Sequence, residues 1–175
     1  MKTLTIHFSR NSKGAIFSRL LQWYVGSPIS HVLVEFDTEK SLGQPFVYHS
    51  VIGTGVSLIP KKKFLLKNEI MESYTFELTV DEYRSIRNDL LNEGGEEYAM
   101  MQNLGIFIID QIRRLTRIKY KNPFKKGKNC SELIYEKVIQ KLYGDVSKYD
   151  KDLVKHSEIR SILKEKGIIP IFSKI

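Results

Sequence analysis

One cysteine and four histidines carry most of the reactive chemistry available to this chain of 175 residues. Cys130 lies in the stretch "KNCSELIYEKV". Asn129 is a good N-cap residue, and Glu132 follows at the capping-box spacing. Leu133, Ile134, Val138 and Leu142 give such a helix a buried face, and Gly144 gives it a stop. Cys130 then takes the first helical position. Unpaired backbone N–H groups and the positive end of the helix dipole favour a thiolate there. The same N–H groups suit an oxyanion. The alternative is a small buried thiol in a core, the commoner fate of a lone cysteine.

A thiolate nucleophile needs a base, and the base needs an orienting group. His31 opens the stretch "HVLVEF", and His49 sits within "VYHSVIGTGV". If these two segments are neighbouring strands, the two imidazoles stand side by side. His7 falls on the face opposite Leu4, Ile6 and Phe8, and His156 lies in a polar C-terminal stretch; both read as surface or structural residues.

The elements that must position these groups follow from periodicity. Alternation predicts strands at "KTLTIHFS", "SHVLVEFD", "PFVYHSVI", "GVSLIP" and "EIMESYTFELT", the third and fourth joined as a hairpin through "GTG". Helical spacing predicts helices in "KGAIFSRLLQWYVG", in "TVDEYRSIRNDLLN" after a Thr79 or Asp81 cap, and in "EEYAMMQNLGIFIIDQIRRL". A short helix near Ser157 to Lys166 and a strand at "GIIPIF" complete the chain. Strands come early and helices mostly late, an α+β layout in one domain spanning residues 1–175.

The net charge of +8 sits in one place. Between Asp110 and Glu132 there is no acid, but there are eight basic residues, from Arg113 to Lys128. The other 20 basic residues equal the 20 acids in number. The segment is either a solvated loop or a patch for an anionic partner, and it leads straight into Cys130. A single cysteine excludes an internal disulfide and a cysteine-based structural zinc site. The N-terminus reads as a strand rather than a signal peptide, and the longest apolar run, "LGIFII", is far short of a membrane span. The expected location is cytoplasmic.

"SHVLVEF", "VYHSVIGTGVSL" and "NCSELIYEKV", in that order, resemble the permuted branch of the papain-like NlpC/p60 superfamily, and within it the YiiX/YebB-like proteins. The resemblance covers ordered pieces from Ser30 to Val138. It implies a permuted papain-like fold, an antiparallel sheet with the nucleophile helix packed against it. It implies Cys130 as nucleophile, His31 as base and His49 as the orienting group. Many YiiX-like members place Glu where this chain has His49; a histidine there is familiar in lecithin–retinol acyltransferase relatives and in ordinary NlpC enzymes. Tyr98 resembles an aromatic that often precedes the helix before the cysteine.

On that resemblance the expected activity is cysteine hydrolysis of an amide, isopeptide, thioester or ester bond, as in a thiol peptidase or amidase. Ser30, within "GSPIS", and Gly53 and Gly55, within "GTG", would form rims of the cleft. No metal and no cofactor is required. Two other readings stay open. One is thiol acyl transfer or lipolysis on acyl lipids, with the segment from Arg113 to Lys128 held at an anionic membrane. The other is a non-enzymatic nucleic-acid-binding protein in which Cys130 is merely buried.

Overall fold

In the computed structural model the described residues are 1–12, 22–23, 27–38, 42–51, 55–95, 129–144 and 154–172. The helix expected at residues 13–26, apart from residues 22–23, the helix expected at 96–115, the basic segment from Arg113 to Lys128, Gly53 and Tyr98 lie outside them.

The strands are β1 (Lys2–Asn11), β2 (His31–Phe36), β3 (Phe46–Val51), β4 (Gly55–Pro60), β5 (Asn68–Leu78) and β6 (Ile171–Phe172). They form one six-stranded sheet in the order β4-β3-β2-β1-β5-β6. Every neighbouring pair is antiparallel. The molecule is therefore α+β with an antiparallel sheet. β1 lies inside the sheet, between β2 and β5, which is why its alternate residues Leu4, Ile6 and Phe8 are all fully buried.

The helices are α1 (Lys61–Leu65), α2 (Val80–Asn92), α3, and α4 (His156–Glu165). α3 opens as Cys130–Ile134, widens to π geometry over Tyr135–Ile139 and closes as Gln140–Tyr143. The Thr79 hydroxyl accepts from Glu82 N–H, and the Glu82 carboxylate returns to Thr79 N–H, so the sequence-predicted cap of α2 forms as a full capping box.

Alternation divides the buried side chains between two faces. Val32, Val34, Phe36, Tyr48, Tyr74 and Phe76 join Leu4, Ile6 and Phe8 in the main core. Tyr83, Ile86 and Leu90 of α2, Leu133, Ile134 and Val138 of α3, and Ile159, Ile162 and Leu163 of α4 pack over that face. The Tyr48 hydroxyl donates to the Leu90 carbonyl and ties β3 to α2. Arg160 of α4 grips the buried Glu72 of β5 with two nitrogens, each 2.6 Å from a carboxylate oxygen. The other face carries a smaller cluster: Leu33, Val47 and Phe64, the last supplied by α1.

Candidate functional site

Asn129 stands in extended geometry, and its side chain accepts from Glu132 N–H at 2.9 Å. Cys130 is therefore the first residue of α3, as its spacing predicts. Gly144, at φ 72°, ends the helix in a conformation that favours glycine. The π segment was not legible in the sequence. The N–H of Gln140 reaches back to the carbonyl of Tyr135, five residues away. That wider turn brings Tyr135 and Ile139 into the core beside Val138, while Leu142 is left only partly buried.

β2 and β3 bring the two histidines together. In their register Val34 faces Tyr48 and Phe36 faces Phe46, which sets His31 and His49 diagonally on one face of the sheet. Their ring centroids are 5.8 Å apart at an interplanar angle of 72°. Phe64 closes the group, 6.2 Å from His31 and 5.6 Å from His49. This contact was missed from the sequence, because "KKKFL" reads as a polar turn and its single apolar residue makes no periodicity.

The thiol comes from the opposite face: Cys130 is buried in the main core with Val32, Val34 and Leu133, whereas His31 and His49 alternate with Val32 and Tyr48 onto the Phe64 face. The recorded β2–β3 ladder runs from Val34 to Phe36 and stops short of Val32. The N–H of Val32, the residue after His31, donates to the Cys130 sulfur instead. The Ser131 hydroxyl and the N–H groups of Ser131 and Cys130 also turn towards it. A helix start thus meets the open end of a strand ladder, with an imidazole on each of the two strands. No hydrogen bond joins the thiol to either imidazole among the described residues. His31 Nε2 and His49 Nδ1 are buried there with no hydrogen-bond partner. The close thiol–imidazole pair expected of a catalytic dyad is not found: Cys130 belongs to the main core, and the two imidazoles lie with Phe64 on the other face of the sheet.

Cys130, His31 and His49 are 6%, 9% and 7% exposed, and this burial decides their charge. It pushes the Cys130 thiol up, against the pull of the surrounding N–H groups. The lowered thiol pKa that the helix start alone implies is therefore overturned. Burial, with the neighbouring imidazoles adding to it, takes His31 down to about 3. Burial takes His49 down to about 4. Burial thus favours a neutral thiol and two neutral imidazoles over an ion pair.

The remaining residues divide cleanly. Ser30 donates its N–H to the Ser9 carbonyl, fixing the chain just before His31. Gly55 takes φ 64° at the start of β4, where the hairpin returns to pair with Val51. His7 and His156, read as surface or structural, are both buried. His7 bonds Ser73 and Glu35. His156 opens α4 against the Ile29 carbonyl, and burial takes it down to about 4. A hydrophilic neighbourhood in sequence misled here, because α4 is laid on the sheet by its Ile159–Ile162–Leu163 stripe and carries its first residue inward with it. Among the described residues no cluster of three or more His, Cys, Asp or Glu side chains could hold a metal ion. Among them, too, no helix is long and apolar enough to cross a membrane.

Together these features define an α+β protein with a lone buried cysteine at a helix start and a pair of histidines on neighbouring strands. No family model, no curated protein and no solved structure matches the chain.

Proposed function

We propose that the protein is a cysteine hydrolase of permuted papain-like architecture, acting on an amide, isopeptide, thioester or ester carbonyl. The observation that carries this reading is the position of the Cys130 thiol. It lies at a helix N-terminus, on the backbone N–H of the residue that follows His31, where the ladder between the two histidine strands stops. A cysteine that only filled a core would need none of these donors. His31 Nε2 and His49 Nδ1 are also buried without a hydrogen-bond partner among the described residues, and such an orphan costs about 1–3 kcal/mol until something engages it.

In the proposed reaction a rotation of the His31 ring brings a nitrogen to the thiol. His31 takes the proton as the sulfur attacks, so charge develops only as the bond forms. The N–H groups of Cys130 and Val32 stabilise the oxyanion. His31 then returns the proton to the leaving group, and water releases the acyl group. His49 holds the His31 ring through the attack. A partner or substrate with negative charge remains part of the proposal on the strength of the +8 balance alone.

Acylation tests this directly. The chain is mixed with an activated ester and with a peptidyl amide carrying an electrophilic trap, and the adduct is located by peptide mass mapping. The adduct belongs on Cys130, and its formation slows about 100-fold or more in His31→Ala, the loss typical of a missing general base. An adduct elsewhere, or an unchanged rate in His31→Ala, overturns the reading.

A further inference from the structure

The face of the sheet turned away from α2, α3 and α4, which His31 and His49 share, carries a second constellation. His7 lies within β1, opposite Ser73 of β5 and Leu33 of β2. Its Nδ1 is 2.7 Å from Ser73 Oγ. Its Nε2 is 2.5 Å from Glu35 Oε2. Glu35 Oε2 in turn lies 2.6 Å from Lys61 Nζ. A groove of about 620 Å³ opens over these groups. His7, Ser73 and Lys61 line it, and Leu65, Ile171 and Phe172 form apolar walls. All three wall residues are exposed.

The polarity of this chain is set from the acid end. Burial opposes ionisation of Glu35, yet the hydrogen bonds from His7 and Lys61 prevail and hold its carboxyl below the usual range. An ionised Glu35 can only accept, so the ring proton belongs on Nε2. A neutral ring then presents Nδ1 as an acceptor to the Ser73 hydroxyl. A hydroxyl bonded to an imidazole, whose far nitrogen is held by a carboxylate, is the arrangement that activates a serine. Here it faces a groove with a cation at one side.

We propose that Ser73, His7 and Glu35 form a second, serine-based acyl-transfer site, separate from Cys130, for esters that carry an apolar acyl chain. Ser73 Oγ forms a bond to the ester carbonyl carbon as its proton passes to His7 Nδ1. The Lys61 ammonium, ion-paired with Glu35 on the far side of the ring, contributes only its field to the negative charge on the carbonyl oxygen. Collapse breaks the bond to the leaving alkoxide, which takes the proton from His7. Water, losing a proton to the same nitrogen, then frees the carboxylic acid and restores the Ser73 hydroxyl. Glu35 keeps its charge throughout and orients the ring. Leu65, Ile171 and Phe172 receive the acyl chain.

The test uses the full chain with Cys130→Ala, so its outcome does not depend on the cysteine reading. A fluorophosphonate probe replaces its fluoride with an activated serine oxygen. Peptide mapping should place the adduct on Ser73, and Ser73→Ala should abolish it. His7→Gln, checked for folding by circular dichroism, should slow labelling about 100-fold. Nitrophenyl octanoate should be hydrolysed faster than the acetate, and Phe172→Ser should remove that preference. An unlabelled Ser73, or labelling of Ser73 that survives heat unfolding, overturns the proposal and leaves His7 as a buried histidine satisfied by its strand neighbours. The parent Cys130→Ala chain decides this by itself if His7→Gln does not fold.

Discussion

Acid should unfold this protein far above the carboxylate range, and the buried imidazoles set how steeply. His31, His49 and His156 ordinarily titrate at 6.5, but in the fold they lie at about 3, about 4 and about 4. Their folded values are depressed, so the unfolded chain binds protons that the native chain refuses. The stability they permit is complete above pH 6.5 and is lost as pH falls towards 4. Near pH 5.5 the unfolded state holds close to three more protons than the native state. The corresponding slope is about 4 kcal/mol per pH unit. Integrated from pH 7 to pH 5, the loss is about 5 kcal/mol, comparable with the whole stability of a small domain. Urea unfolding followed by tryptophan fluorescence and circular dichroism at half-unit pH steps measures it. Proton uptake on unfolding at pH 5.5, measured by calorimetry in two buffers, counts the groups. His49→Gln should lower the slope by about a third if it unfolds cooperatively. A stability that is flat from pH 7 to pH 5 would refute the buried, neutral placement of these rings, and with it the description of the site.

Because burial pushes the Cys130 thiol up, alkylation by iodoacetamide at pH 7 should be slower than that of a free thiol. The rate should rise about tenfold per pH unit through pH 8.5, and a plateau near pH 6 would indicate an ion pair instead. Arg160→Met leaves the buried Glu72 carboxylate without its two-pronged partner and should cost about 3–5 kcal/mol in urea unfolding; a change under about 1 kcal/mol would mean the pair is hydrated. Asn129→Ala removes the cap of α3 and should cost about 1 kcal/mol, while Asn129→Asp should restore most of it. Phe64→Ala empties the fully buried ring site between the two histidines and should cost about 3–5 kcal/mol. Under the proposed mechanism it should also slow acylation of Cys130 in the fraction that remains folded.

The sheet was legible because its strands alternate strictly. β2, β3 and β4 fall within the stretches read as strands, β1 and β5 overrun theirs by two residues and one, and the hairpin between β3 and β4 follows from its glycines. The start of α3 was legible because capping is local: Asn129, Glu132 and Gly144 act on their own backbone. So was the pairing of His31 with His49, since one register places both on one face. Charge states were not legible. The helix dipole acts within a few residues of Cys130, but the desolvation that outweighs it comes from groups remote in sequence. β2 and the main core bring that burial, and the sequence near Cys130 carries no trace of them. The inward turn of His156 failed for the same reason, as did the partners of His7. Ser73 and Glu35 meet His7 only after two strand pairings form.

Burial gives the two proposed sites opposite starting points. At Cys130 the surroundings disfavour every charge: the thiol is raised, the imidazoles are lowered, and two ring nitrogens have no partner among the described residues. Such a group gains from a proton transfer only when a substrate carbonyl arrives to receive the electron pair. It is quiet towards water and towards stray electrophiles until then. At His7 one charge is already present and stabilised, on Glu35, and both ring nitrogens are engaged. The ring there is held from both sides before any ligand binds. Substitution of the acid should separate the two designs. Glu35→Gln should remove the fixed tautomer of His7 and slow labelling of Ser73. Acylation of Cys130 should be unaffected, because Glu35 makes its side-chain bonds to His7 and Lys61. If both reactions fall together in a folded Glu35→Gln protein, the His7 group and the Cys130 group are energetically coupled, and the separation drawn between them is wrong.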